Sequence, residues 1–171
     1  MPVDIPNLLR AAGGSIIGKV RLQKVVYLLD QIGMNSGFEF NYHHYGPYSA
    51  DLTSAVDDAT IFDEVVESVR SRASDGVPYS VFEVGDNAQA PEDARSVGDI
   101  EFDRARHAIR VMSGYSATVL ELAATIHWLV CVEEQEDWEE ELHDRKGIKA
   151  AGGRTKEALK LLGELGISLE A

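Results

Sequence analysis

The stretch SATVLELAATIHWLVCVEE, residues 116 to 134, is the strongest helical signal in the chain. Val119, Leu122, Ala123, Ile126, Leu129 and Val130 follow the helical period closely. Ser116 suits the N-cap, and Thr118 with Glu121 offers a capping box two residues later. A helix this apolar needs other elements packed against it, and the rest of the chain supplies them.

GKVRLQKVVYLLDQIG, 18 to 33, reads as a second helix. Leu22, Val25, Val26, Leu29 and Ile32 form its apolar stripe, and Arg21, Lys24 and Gln31 mark the opposite, wet side. Tyr27 lies at the stripe's edge, where its ring can pack while its hydroxyl finds a partner. Gly33 stands where a C-terminal cap belongs. DIEFDRARHAIRVM, 99 to 112, is a helix with Phe102, Ala105, Ile109 and Met112 inward, broken by Gly114. TKEALKLLGELGI, 155 to 167, is an amphipathic helix with Thr155 as cap and Gly166 as stop. EEQEDWEEE, 133 to 141, holds seven carboxylates in nine residues and is expected to be helical through His143. KGIKAAGGR, which follows, reads as a loop.

Phe38, Phe40 and Tyr42 alternate with Glu39, Asn41 and His43, an extended pattern over 35 to 45. Gly46-Pro47 then predicts a turn. Ser49 caps a new helix with Asp51 in its first turn and Leu52, Ala55, Val56 and Ala59 on its apolar face. Residues 62 to 84 read as a β-hairpin about Ser74-Asp75-Gly76, with a helical first arm as the alternative. Residues 88 to 98 read as a loop or short helix. Together these elements predict an α+β, predominantly α-helical single domain over 1 to 171, with one small hairpin and C-terminal helices from 116 to 171.

Net charge is −13, unevenly placed: residues 1 to 50 sum to +1 and the remainder to −14. Nucleic acid is therefore an unfavourable partner, since binding it requires a cationic footprint. A basic protein partner fits better. One cysteine, Cys131, excludes an internal disulfide framework and a cysteine-rich zinc site. No signal peptide and no membrane span is legible, so a cytoplasmic location is expected.

The stretch YHHYGPYSADL, 42 to 52, concentrates the residues that suggest chemistry. His43 and His44 are adjacent, so on an extended segment they face opposite ways and do not readily chelate one ion. His107, His127 and His143 are isolated, with no metal-binding spacing. Cys131 lies within an apolar helix as a small hydrophobe, and the helix-capping role of Ser49 explains it without catalysis. AAGGSIIGK, 11 to 19, lacks phosphate-loop spacing because Val20 follows Lys19. Trp138 either packs on the core or anchors a partner. No metal or cofactor is expected. Two alternatives remain open: a hydrolase or nuclease using His43 or His44 with nearby carboxylates, and a winged-helix-type regulator using the Arg21/Lys24 face.

Leu22, Gln23, Lys24, Tyr27 and Leu28, followed by Tyr45, Gly46, Pro47 and Leu52, resemble the N-terminal signature of the Panacea (SocA-like antitoxin) domain family. The Tyr48-Ser49 version is also similar to related uncharacterised bacterial and archaeal phage-associated proteins. The resemblance implies a mostly helical domain with a small hairpin and a non-enzymatic protein-binding role. Such a domain neutralises a toxin directly or presents it to a protease. The expected partner is thus a basic toxin or a protease, with a second copy of the chain as a further candidate. The expected motif residues are Gln23, Lys24, Tyr27, Tyr45, Gly46, Pro47, Tyr48 and Ser49, the first three bracing the turn at Gly46 to Tyr48.

Overall fold

Helix α5 (Ala117–His127) occupies the interior, and every residue from Val119 to His127 is buried. The Ser116 hydroxyl accepts the Val119 N–H at 3.2 Å, so Ser116 is the cap and Glu121 is released from a capping role. The helical run does not continue unbroken to Glu134. It passes into a single π-helical turn, Trp128–Val132, where the Glu133 N–H reaches the Trp128 carbonyl at 2.9 Å.

The computed structural model describes residues 2–91 and 95–170. In chain order the elements are α1 (Ile5–Ala11), β1 (Ser15–Ile17), α2 (Lys19–Gln31), β2 (Asn41–His43), β3 (Gly46–Tyr48) and α3 (Ala50–Ile61). There follow β4 (Val65–Ser71), β5 (Pro78–Val84), β6 (Ser96–Val97), β7 (Ile100–Glu101) and α4 (Phe102–Ser113). After α5 come α6 (Trp138–Lys146), a 3-10 turn (Gly147–Ala150) and α7 (Arg154–Glu164). The fold is α+β and mainly helical, as the sequence predicts. Helices α2 and α7 pack against α5, and so does the β2–β3 hairpin.

The Asp75-Gly76 hairpin forms as strands on both arms, β4 and β5, in register from Val65–Val84 to Ser71–Pro78. It is not alone. Strand β1 adds to the other side of β5, pairing Ile16 with Phe82, and gives the sheet order β1-β5-β4. The glycine-rich 11 to 19 segment is thus the entry to and exit from an edge strand. Neither α1 nor β1 stands out in the sequence, because each is too short to show a period. Part of the 88 to 98 segment, residues 92–94, lies outside the described residues. Its end forms the small β6–β7 hairpin, so α4 begins at Phe102 rather than at 99.

Helix α2 departs from expectation in the placement of its basic side chains. Lys24 is not on a wet face; it is buried. Arg21 is half-buried and committed. Its guanidinium donates to the carbonyls of Met112 at 3.1 Å and Tyr115 at 2.6 Å, satisfying the C-terminal end of α4. The basic surface expected from these two side chains is therefore not on the exterior. At the other end of the chain, Thr155 does not cap α7. Gly153, in the left-handed region at φ 81°, holds that position, and the Thr155 hydroxyl donates to the Ala150 carbonyl at 2.9 Å.

Replacing Arg21 with Met keeps the apolar stem but removes a charged donor from two carbonyls, of which Met112 keeps the Tyr115 N–H. Urea unfolding should show Arg21→Met destabilised by about 1–3 kcal/mol, the range for charged hydrogen bonds. An unchanged midpoint would show that water satisfies those carbonyls equally well.

Candidate functional site

The stretch 41 to 49 forms a tight hairpin whose turn residues are His44 and Tyr45, not Gly46 and Pro47 as the sequence suggests. The register pairs His43 with Gly46, Tyr42 with Pro47 and Asn41 with Tyr48. Bonding alternates along an antiparallel ladder, and Pro47, which has no N–H, sits one pair beyond the His43–Gly46 closure. Gly46 adopts φ +82°, and a Cβ there would lie 2.6 Å from the Thr125 hydroxyl on α5. Only glycine permits this approach of the hairpin to the central helix.

Two buried lysines hold the hairpin from beneath. Lys24 on α2, only 1% exposed, donates from Nζ to the Pro47 carbonyl. Lys146, at the end of α6, donates to the His44 carbonyl at 3.1 Å and lies 3.3 Å from the Glu121 carboxylate. Glu121, itself buried on α5, also receives Lys149 at 3.3 Å. One carboxylate therefore serves a group of ammonium ions. Burial lowers the Lys24 pKa to about 8, with Glu121 opposing the shift and the neighbouring lysines adding to it. Burial lowers Lys146 as well, again against the attraction of Glu121.

Gln23 clamps the next residue along. Its side-chain amide donates to the Ser49 carbonyl at 3.0 Å and accepts the Ser49 N–H at 2.9 Å. Ser49 in turn caps α3 by accepting the Leu52 N–H at 3.1 Å. The Tyr48 hydroxyl lies 2.8 Å from the Thr53 hydroxyl. Gln23 and Lys24 thus touch the segment they were expected to brace. Tyr27 does not; its hydroxyl lies 2.6 Å from Nδ1 of His127. Burial raises the Tyr27 pKa and lowers that of His127, so a protonated phenol donates to a neutral imidazole. The Tyr27 ring meets Phe40 edge-on at 5.3 Å, and Trp128 lies beside both Tyr27 and Tyr42.

The outer face of the hairpin carries exposed His43, His44 and Tyr45. Lys149 Nζ sits 4.8 Å from the centre of the Tyr45 ring, and the Arg145 guanidinium 4.6 Å from that of Tyr42. The His43 ring packs against Tyr48 at 4.9 Å. Among the described residues, neither His43 nor His44 has a hydrogen-bonded carboxylate, and no three metal-ligating side chains converge. On one side of the hairpin, Tyr45 and Tyr48 border an open groove of about 430 Å³ floored by Leu52, Val56 and Phe82.

On the other side stands the acidic tract, helical only from Trp138. Trp138 is half-buried against the core. Arg145 grips Glu133 through two bonds at 2.8 Å and Glu141 at 2.6 Å. The Arg145 hydrogen bonds hold the Glu133 pKa down to about 2. Glu134, Glu136, Asp137, Glu139 and Glu140 are exposed, with no ion pair among the described residues. Cys131 is half-buried, its thiol 3.8 Å from the Ser168 carbonyl.

Glu121, Thr125, Arg145, Lys146 and Lys149 are site residues that the sequence did not single out. Glu121 had a readable signal: a carboxylate between Leu120 and Leu122 in the most apolar helix requires buried cations. No family model matches the chain. It is similar to the uncharacterised protein YwgA of Bacillus subtilis, 26% identical over 159 residues and covering 89% of each chain. No single helix among the described residues is long and apolar enough to cross a membrane.

The charge arrangement predicts unequal costs for two substitutions. Glu121→Gln leaves buried ammonium ions unopposed and should cost about 3–5 kcal/mol in denaturant unfolding. Lys24→Met removes one of the competing cations and should cost much less. The folded Lys24 value near 8 lies below its ordinary 10.5, so between these pH values the unfolded chain holds the extra proton. The contribution of Lys24 to stability thus rises with pH across that window and falls as pH drops through 8. The difference between wild type and Lys24→Met, followed from pH 7 to 11, should climb through the window. A flat difference would show that Lys24 titrates normally.

Proposed function

We propose that this chain is a non-enzymatic protein-interaction module of antitoxin or proteolytic-adaptor type that binds and neutralises a basic partner protein. The observation that carries the reading is the β2–β3 hairpin. It presents exposed Tyr45, His44 and His43 on a base fixed by Lys24, Lys146 and Gln23. A rigid aromatic tip loses little conformational freedom on binding, which is what an interface anchor requires. The groove beside Tyr45 offers an apolar socket for a partner side chain. The five exposed carboxylates of 134 to 140 steer a basic surface toward it, an effect screened by salt.

The likeness of Leu22, Gln23, Lys24, Tyr27 and Leu28, with Tyr45, Gly46 and Pro47, to the Panacea signature supports the same reading. Gln23, Lys24, Gly46, Pro47 and Ser49 then build the presenting scaffold, Tyr45 and Tyr48 face the partner, and Tyr27 braces the interior behind Trp128. The partner is a basic toxin, delivered to a protease or held inactive. The site lies within the cytoplasm on this reading.

Co-purification with the product of the neighbouring gene, followed by calorimetry, tests the proposal. Tyr45→Ala should weaken binding by about 30-fold or more, the loss of an anchor worth about 2 kcal/mol, while leaving thermal stability unchanged. Reversing Glu136 and Glu139 to Lys should slow association and flatten its salt dependence. A partner that binds both variants as tightly as wild type would refute the assignment of this surface.

A further inference from the structure

Strand β4 is the long open edge of the three-stranded sheet, since among the described residues the order β1-β5-β4 leaves it a neighbour on one side only. The opposite edge, β1, is three residues long, whereas β4 runs for seven, VVESVRS, with no proline, glycine or lysine. Proteins normally blunt such an edge with those residues or with inward charges. The two charged side chains of β4 are each paired with a residue of β5 rather than left free along the edge. Arg70 pairs with Glu83 at 3.1 Å, and Glu67 accepts from the Ser80 hydroxyl at 2.7 Å. Val69 is 69% exposed, and Val66 and the neighbouring Phe62 are exposed as well.

The ladder phase is fixed by its ends. Glu64 accepts from the Gly85 N–H, and the Arg72 N–H donates to the Val77 carbonyl. Pairing alternates along an antiparallel ladder, so even-numbered residues of β4 bond toward β5. The backbone groups of Glu67, Val69 and Ser71 therefore point outward. A second β4, run antiparallel about a two-fold axis at Ser68, sets Glu67 opposite Val69 and Val65 opposite Ser71. These are the residues whose groups face out, so the phase closes on itself. The same register sets Glu64 of each copy opposite Arg72 of the other, which also holds Asp75 of its own chain at 2.7 Å, and sets no like charges directly opposite; the two Glu67 side chains are diagonal, each with Lys19 of its own chain 3.8 Å away.

We propose that β4 is a homodimerisation edge, joining two copies of this chain into one continuous six-stranded sheet about Ser68. The inference is independent of what the β2–β3 hairpin binds.

Two variants of the full chain test it, read by light scattering on a sizing column and by non-reducing gels. Wild type should run at twice the 18.7 kDa of one chain. Val69→Pro removes an outward N–H without touching the bonds to β5, and should halve that mass with circular dichroism unchanged. Ser68→Cys meets its own copy across the axis and should form a disulfide-linked dimer on mild oxidation, whereas Arg70→Cys should not. A monomeric wild type, a dimer that survives Val69→Pro in the folded state, or equal cross-linking at both cysteine positions would each overturn the proposal.

Discussion

Glu121 is one carboxylate in the interior of the most apolar helix, and three lysines converge on its surroundings, Lys24 from α2 and Lys146 and Lys149 from the end of α6 and the turn after it. Desolvating any one of these groups costs several kcal/mol unless it is matched by opposite charge or hydrogen bonds. A single carboxylate cannot match both buried lysines, Lys24 and Lys146, while also receiving the half-exposed Lys149. The remaining demand is met by carbonyl oxygens, and the hairpin supplies them: Pro47 to Lys24 and His44 to Lys146. The hairpin is thus a ligand of the buried cations as much as a surface loop. Its backbone is held from α2 on one side and α6 on the other, so its position depends on elements more than 100 residues apart in sequence.

This dependence explains the residue choices around it. To bring two carbonyls down to the lysines, the hairpin must lie close on α5, and Gly46 allows that because any Cβ would strike Thr125. The Thr125 hydroxyl itself is buried without a partner among the described residues, a cost accepted at the same contact. Pro47 keeps the return strand rigid while its carbonyl remains free to accept. The amide of Gln23 then fixes Ser49, whose hydroxyl starts α3. One side of α2 therefore sets both the hairpin and the next helix, with Gln23 and Lys24 as neighbours doing different jobs.

How much of this was legible is clearest at Lys24. The hydrophobic stripe of α2 was readable because apolar spacing dictates which face goes inward. Periodicity, however, assigns every charged residue to the wet side, and so misplaced Lys24, whose partner lies 23 residues away in a carbonyl that carries no side-chain signal. The Gly46-Pro47 turn failed for a related reason. Those residues have strong local preferences, but the close approach to Thr125 uses the glycine for space, so the turn moves to His44-Tyr45. The caps at Ser49 and Ser116 were legible because capping is local in sequence. Strand β1 was not, since three residues gain strand character only by pairing with β5.

The acidic tract shows the same division between paired and free charge. Arg145 lies over the Tyr42 ring while binding Glu133 and Glu141, so two carboxylates of the tract are structural and tie α6 to the hairpin. Glu133 stays ionised down to a pH near 2, which keeps this link intact through the range where free carboxylates are neutralised. The five exposed carboxylates have no such role, and their mutual repulsion opposes folding rather than favouring it. Charge gathered on one face at a cost in stability has no part in holding the described structure together. The hairpin beside it, fixed by cations that are themselves hidden from solvent, exposes aromatic and imidazole groups while those cations' charge stays largely in the interior.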